Sequence, residues 1–288
     1  MTQTFLLIAA VVVGTWNANW FPSGRAKHRA HPDVEAATVS TAAKMLADGL
    51  RTMDPAGTND VILCLNEIRG PKAASNLVAQ IGRKDLRVAV VSGYRWSDRF
   101  DEQQDVIATT LPVVEAHWSR WKGKGKSLPP RGYAFAAVVV DPATTANVYA
   151  VHLKSNYRAK TAEMRQENRE KRTRAIEQVV GQERKKRGRS QRPVVLAGDM
   201  NADKWGKGFA DETLFGLLET AGFENLLERL PPKARGTHPS ERYGDSALDY
   251  VFARGFDSAD LPRIVPNDGL SDHCALFVLL SSPKSADF

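Results

Sequence analysis

The chain has 288 residues, 42% of them hydrophobic and 25% charged. That composition excludes global disorder, collagen and an extended coiled coil. A net charge of +7, from 40 Lys and Arg against 33 Asp and Glu, tilts the reading toward polyanionic partners.

Residues 5–13 are continuously apolar. They are far short of the roughly 20 residues that a membrane-spanning helix needs. No Lys or Arg precedes them, so the basic part of a signal peptide is missing. The run therefore reads as a long buried strand, with a degenerate export signal as the other reading. Residues 11–16 complete that strand. Asp33 follows Pro32 and suits a helix start, and Val39, Ala43, Leu46 and Leu50 then recur along one helical face. Residues 61–65 form the next buried strand, and 71–82 a helix with Pro71 near its start and Gly82 near its end. Short β-type runs follow at 88–91, 106–109, 113–116, 134–140 and 148–153. Residues 161–180 read as a charged helix with Ile176, Val179 and Val180 on its apolar side. Strands at 193–197, 247–252 and 275–280 and a helix at 212–221 complete the chain. The two cysteines, Cys64 and Cys274, lie in apolar runs and read as buried free thiols rather than a disulfide or zinc framework.

Strands outnumber helices, and hairpins are mixed with helical crossovers. This excludes an all-parallel doubly wound sheet. It predicts an α/β protein with two mixed, mostly antiparallel sheets packed face to face and helices outside. With no internal repeat or linker, residues 1–280 read as one domain and 281–288 as a frayed tail. The expectation is a cytoplasmic monomer without a membrane span, secretion through the apolar N-terminus being the alternative.

Polar residues repeatedly close the buried strands: Asn17 in TWN, Asn66 and Glu67 in LNE, His152 in VHLKSN, Asp199 and Asn201 in GDMN, and Asp272 and His273 in SDH. Asp249 interrupts the apolar run of LDYVF, where an unpaired carboxylate is costly. If the strands carrying Asp249 and His273 pair side by side, the two side chains meet. Carboxylates, amides and imidazoles without a cysteine set suit a hard cation, Mg²⁺ with Mn²⁺ or Ca²⁺ as alternatives, and the chemistry of a phosphate diester. Each motif alone is weak, since Gly, Asp and Asn favour turns. Their order is far more specific.

That order resembles the endonuclease/exonuclease/phosphatase superfamily, which includes pancreatic-type deoxyribonucleases, AP endonucleases, inositol polyphosphate phosphatases and neutral sphingomyelinases. The likeness runs from TWN at 15–17 to SDH at 271–273, with Asn66 where the family often has Gln. It implies a four-layered α/β sandwich and a Mg²⁺-dependent phosphoesterase. It further implies that Glu67 ligates the metal with Asn17 nearby and that Asp272 lies near the metal or a second metal position. Asp199 would orient or deprotonate the attacking water, and Asn201 would bond the scissile phosphate. His273, oriented by Asp249, would face the phosphate, and His152 would be the second histidine.

For substrate, the Ala-Asn-Trp-Phe-Pro stretch after Asn17 departs from the AP endonuclease pattern. Residues 117–133 interleave Arg120, Lys122, Lys124, Lys126 and Arg131 with Trp118 and Trp121, a pattern that suits a phosphate backbone with stacked bases. The competing reading is a solvated hairpin tip. A second basic run, from Arg184 to Arg192, reads as a solvated loop. By the family likeness Trp205 and His238 border the cleft, with packing and turn roles as alternatives. A nuclease is the leading reading. A phosphatase or phosphodiesterase on small phosphoesters or lipid headgroups is the second, and an inactive binding module the third.

Overall fold

The computed structural model describes residues 10–22, 31–96, 99–100, 103–187, 192–241, 244–258, 260–267 and 269–281. Residues 5–9 of the apolar run, Arg189, residues 242–243 and the tail from 282 onward lie outside the described residues. In chain order the elements are β1 (Ala10–Phe21), α1 (Pro32–Met53), β2 (Asp60–Ile68), α2 (Pro71–Gln80), β3 (Arg87–Val91), β4 (Arg95–Trp96), β5 (Arg99–Phe100), β6 (Gln104–Thr109), β7 (Val113–Arg120), β8 (Gly132–Asp141), β9 (Thr144–His152), α3 (Ala162–Arg187), β10 (Val194–Asp199), α4 (Leu214–Thr220), β11 (Glu224–Asn225), β12 (Asp249–Arg254), β13 (Asp257–Ser258), β14 (Arg263–Val265) and β15 (Ala275–Ser281).

Two mixed sheets carry the fold. One has the order β13-β15-β1-β2-β6-β3, with β14 also on β15, and the other β11-β12-β10-β9-β8-β7. Each contains one parallel pair joined by a helical crossover: β1 and β2 through α1, and β9 and β10 through α3. Parallel neighbours need such a crossover, whereas the antiparallel hairpins close with short turns. This is the expected two-sheet α/β sandwich.

The continuous apolar runs follow from burial on both faces. Along β1, Val11 and Val13 enter a core shared with the second sheet, α3 and α4, while Val12 enters the core under α1 and α2. A strand alternates its side chains between faces, so a strand covered on both sides loses the polar alternation of a surface strand. Packing is close where α1 crosses its sheet. A Cβ on Gly49 would overlap the ring of Phe277, so a glycine stands in mid-helix although it costs about 1 kcal/mol relative to Ala. Helix α3 buries Ala175, Ile176 and Val179, and the Thr161 hydroxyl accepts from the Met164 amide at its start.

Several sequence expectations need adjustment. Asp249 is the first residue of β12, not an interruption within a strand. His273 precedes β15, and β12 and β15 belong to different sheets, so Asp249 and His273 are not on paired neighbours. Cys64 is buried, but Cys274 is only partly so. Trp118 and Arg120 lie within β7 rather than in a loop. The predicted helix at 212–221 starts later, because Glu212 turns inward to pair with buried Arg172.

Candidate active site

The strand ends that the sequence marks with polar residues converge at one end of the two sheets. Register aligns them: Asn17 stands beside Asn66, and Asp199 stands between His152 and Asp249. At Glu67 the pairing of β2 with β6 slips between Leu65 and Ile68, and Glu67 takes a left-handed φ of 58°. A strand would send neighbouring side chains to opposite faces. The bulge breaks that alternation, so Asn66 reaches Asp199 while Glu67 reaches Asn17.

Asp199 is the hub. Its Oδ2 accepts from Asn17 Nδ2 at 2.9 Å and from Asn201 Nδ2 at 2.9 Å, and its Oδ1 accepts from the Asn201 amide at 2.7 Å. Nε2 of His152 lies 3.5 Å and Nε2 of His273 3.9 Å from the same Oδ2. Burial raises Asp199 to about 7 against the pull of His273, and Asp249 adds to the rise. A carboxyl held there can take and return a proton near neutrality.

Nδ1 of His273 lies 2.7 Å from Asp249 Oδ2, which also accepts from Thr237 Oγ1 at 2.8 Å. Burial opposes charge on His273, but Asp249 and Asp199 prevail and raise it to about 10. His152 behaves oppositely. Burial, followed by the charge of Arg131, holds it well below the ordinary imidazole range, so it is the neutral histidine of the pair. His238 packs edge-on against His273 with ring centres 4.8 Å apart and faces Asp272 at 3.8 Å. Asp272 is the most exposed of these carboxylates; its Oδ1 accepts from Ser271 Oγ at 3.5 Å, and the two imidazoles lie at 3.8 and 4.0 Å.

Asn201 is tied back to the protein through its side-chain amide. Its Nδ2 donates to Leu153 O at 3.2 Å as well as to Asp199, so both N–H bonds serve the protein in this geometry. Bonding a phosphate requires giving up one of them.

These side chains line a cleft of about 790 Å³. Asn17, Glu67, His152, Asp199, Asn201, His238, Asp272 and His273 all face it, while Asp249 lies behind His273, fully buried. Lys122, Lys124, Lys126 and Trp205 are absent from its lining. The loop carrying the three lysines lies along α3, where the Lys122 backbone N–H donates to Gln178 Oε1 and Gln178 Nε2 donates to Lys122 O. Trp121 is buried against Tyr133, so it does not offer a stacking face. Trp205 stacks under Arg235, 4.3 Å from the guanidinium carbon.

The cleft wall also contains Arg131, the one residue of the basic 117–133 segment that lines it, together with residues that were not among the predicted site residues. Arg131, with φ at 64°, turns back to donate to His152 O, Leu153 O and Gln103 Oε1, and so fixes the end of β9. Lys154, Tyr157 and Arg158 follow from the VHLKSN segment, and Trp20 comes from the distorted end of β1. The buried Arg172 holds the Lys154–Asn156 turn by donating to Lys154 O at 2.7 Å. A basic or aromatic residue within a few positions of each strand-end motif was the available signal.

The sequence profile of the Endonuclease/Exonuclease/phosphatase family matches residues 14–273. The chain belongs to this family. It is therefore a hydrolase of phosphoester bonds with the DNase I-like sandwich fold. An endonuclease/exonuclease/phosphatase from Beutenbergia cavernae has a similar structure, with a TM-score of 0.65 and 17% identity over 97% of this chain and 73% of that one. Truncated TDP2 from Caenorhabditis elegans superposes with a TM-score of 0.57 at 15% identity, covering 95% of this chain and 98% of that one. Sphingomyelinase C from Streptomyces griseocarneus gives 0.57 at 16%, covering 95% and 99%. No curated protein matches the sequence significantly. At these identities the structures establish the shared fold.

Enzymes of this family typically use a divalent metal, and the residues present fit one. Glu67 is buried with its Oε2 lacking any hydrogen-bond partner, and its Oε1 is 3.4 Å from Asn17 Nδ2. An anionic oxygen left unpaired at the cleft wall is costly unless a cation meets it. Among the described residues, two further groups bring three ligand-type side chains together, His238–Asp272–His273 and Asp199–Asp249–His273. Both depend on His273, whose Nδ1 already faces Asp249. The free oxygen of Glu67 is the better match to a hard cation. Among the described residues, no helix is long and apolar enough to cross a membrane.

Proposed function

We propose that the protein is a divalent-metal-dependent phosphodiester hydrolase acting on nucleic acid, with Mg²⁺ as the natural metal. The observation that carries the reading is the pairing of Asp199, a buried carboxyl raised to about 7, with His273, an imidazole held cationic by Asp249, on one cleft.

Asp199 takes the proton of the attacking water as its oxygen bonds to phosphorus and the bond to the leaving oxygen breaks. The cationic His273 ring faces the phosphate and offsets charge gathering on its oxygens. Neutral His152 stands beside Asp199 and can donate a hydrogen bond to a phosphoryl oxygen or to the leaving oxygen, which takes its proton from solvent. Asn17 and Asn201 hold Asp199 in one orientation. Glu67, with Asn17 beside it, would hold the cation, which when bound supplies further positive charge at the phosphate.

Charge and rim chemistry favour nucleic acid over small esters and lipid headgroups. The chain carries +7, and the cleft is edged by Lys154, Arg158 and Arg131 together with Trp20 and the exposed Tyr157. Cations follow a phosphate backbone while aromatic faces receive bases. Arg158 already lies over the Tyr157 ring, 5.2 Å from its centre. The test is hydrolysis of plasmid DNA, single-stranded DNA, RNA, sphingomyelin vesicles and bis(4-nitrophenyl) phosphate in Mg²⁺, Mn²⁺ or EDTA. Polynucleotide cleavage that EDTA abolishes is expected. Cleavage of vesicle lipid with intact polynucleotides would overturn the nucleic-acid reading.

A further inference from the structure

Behind the cleft runs a chain of buried polar groups that links the two sheets. Tyr94 Oη donates to Asp105 Oδ2 at 3.1 Å, and Asn66 Nδ2 donates to Asp105 Oδ1 at 2.7 Å. Asn66 Oδ1 then accepts from the backbone N–H of Asp199 at 3.1 Å. Asn66 and Asp105 are fully buried and Tyr94 is 1% exposed.

The chemistry fixes the direction of every link. A carboxylate only accepts, so Asp105 compels Asn66 to present its NH₂ group on that side. The carbonyl oxygen of the same amide is then left facing Asp199. Asp105 lies opposite the bulge, between Val106 and Gln104, which pair with Leu65 and Ile68. The bulge that delivers Glu67 to the cleft therefore also sets Asn66 against β10. Gly198 leaves room for this contact. A Cβ there would lie 3.0 Å from Asn66 Oδ1 and overlap Val151 O, at a φ of 140°. Without Asn66 the buried N–H of Asp199 would lose this acceptor, at the cost of an unpaired donor.

We infer that Asn66, oriented by Asp105, is a positioning residue for Asp199, fixing the backbone from which the carboxyl addresses the attacking water. This rests on the reading of Asp199 given above. It also gives the Asn at this position a task of its own, through a carboxylate on the neighbouring strand.

The test uses the full chain, Mg²⁺ and bis(4-nitrophenyl) phosphate, together with amide hydrogen exchange at Asp199. Asn66→Asp places two carboxylates against each other, and is expected to lower kcat by about 30-fold, with KM within about twofold, because the hydrogen bond to Asp105 is replaced by a repulsion that displaces the acceptor of the Asp199 N–H. Adding Asp105→Asn reverses donor and acceptor on that side while keeping an acceptor for Asp199, so most of kcat should return. Asn66→Ser is the second variant: its short side chain cannot span the gap, so Asp199 amide exchange should accelerate at least about tenfold. Unchanged exchange in Asn66→Ser, or a kcat of Asn66→Asp per folded molecule equal to the parent, overturns the inference. Asp199→Asn separates the two claims. If it abolishes turnover while the Asn66 variants keep theirs, only the positioning role fails. If Asp199→Asn is fully active, the reading of the site itself fails.

Discussion

His273 Nδ1 and Asp249 Oδ2 lie 2.7 Å apart although their strands belong to different sheets. The pair therefore ties the two layers together at the cleft and works only when the sandwich is correctly packed. Asp249 is fully buried and its Oδ1 has no partner. Its charge is thus poorly screened and acts strongly on the imidazole. The raised pKa of His273, about 10, means that the cation persists through neutral pH and is lost only on the alkaline side. Asp249→Asn removes the anion, so the alkaline limb of the pH–rate profile should move to lower pH. An unmoved limb, with strictly additive losses in the Asp249→Asn/His273→Ala double variant, would show that the two act independently.

Glu67→Gln preserves shape and removes the charge whose Oε2 is unpaired. The half-saturating Mg²⁺ concentration should rise by at least about tenfold, with activity partly restored at high Mg²⁺. Binding of Mn²⁺ followed by calorimetry should weaken in parallel. Ordinary Mg²⁺ dependence would remove Glu67 from the metal site.

The loop with Lys122, Lys124 and Lys126 lies along α3, outside the cleft lining. It can therefore act on a long polyanion but not on a small diester. Replacing all three by Ala should leave bis(4-nitrophenyl) phosphate turnover unchanged. It should flatten the slope of log K against log salt for a polynucleotide by about 2, the release of roughly three counterions. An identical slope would leave the loop as a solvated hairpin connection.

The architecture was legible because burial on both faces produces unbroken apolar strands, as in β1 and β2, and because polar residues at their ends break those runs abruptly. The strands β11, β13 and β14 have two or three residues and leave no periodic trace. Which strand ends meet was not legible. The pairing of Asp249 with His273 is a contact between layers, and the family likeness rather than strand pattern supplied it. Asp105 offered the same signal as Asp249, a carboxylate at the head of an apolar strand, but no motif drew attention to it. Trp121 misled because an aromatic beside lysines looks like a stacking platform until its burial against Tyr133 is known.

The central claim is that Asp199 moves the proton of the attacking water, and steady-state kinetics of Asp199→Asn test it most directly. The substitution keeps the size of the side chain and removes the base. With bis(4-nitrophenyl) phosphate and saturating Mg²⁺, kcat should fall by about 10³-fold while KM stays within a few-fold, the pattern of an interaction made in the transition state. A raised KM with kcat unchanged would contradict the account and leave Asp199 as a residue that only places the substrate.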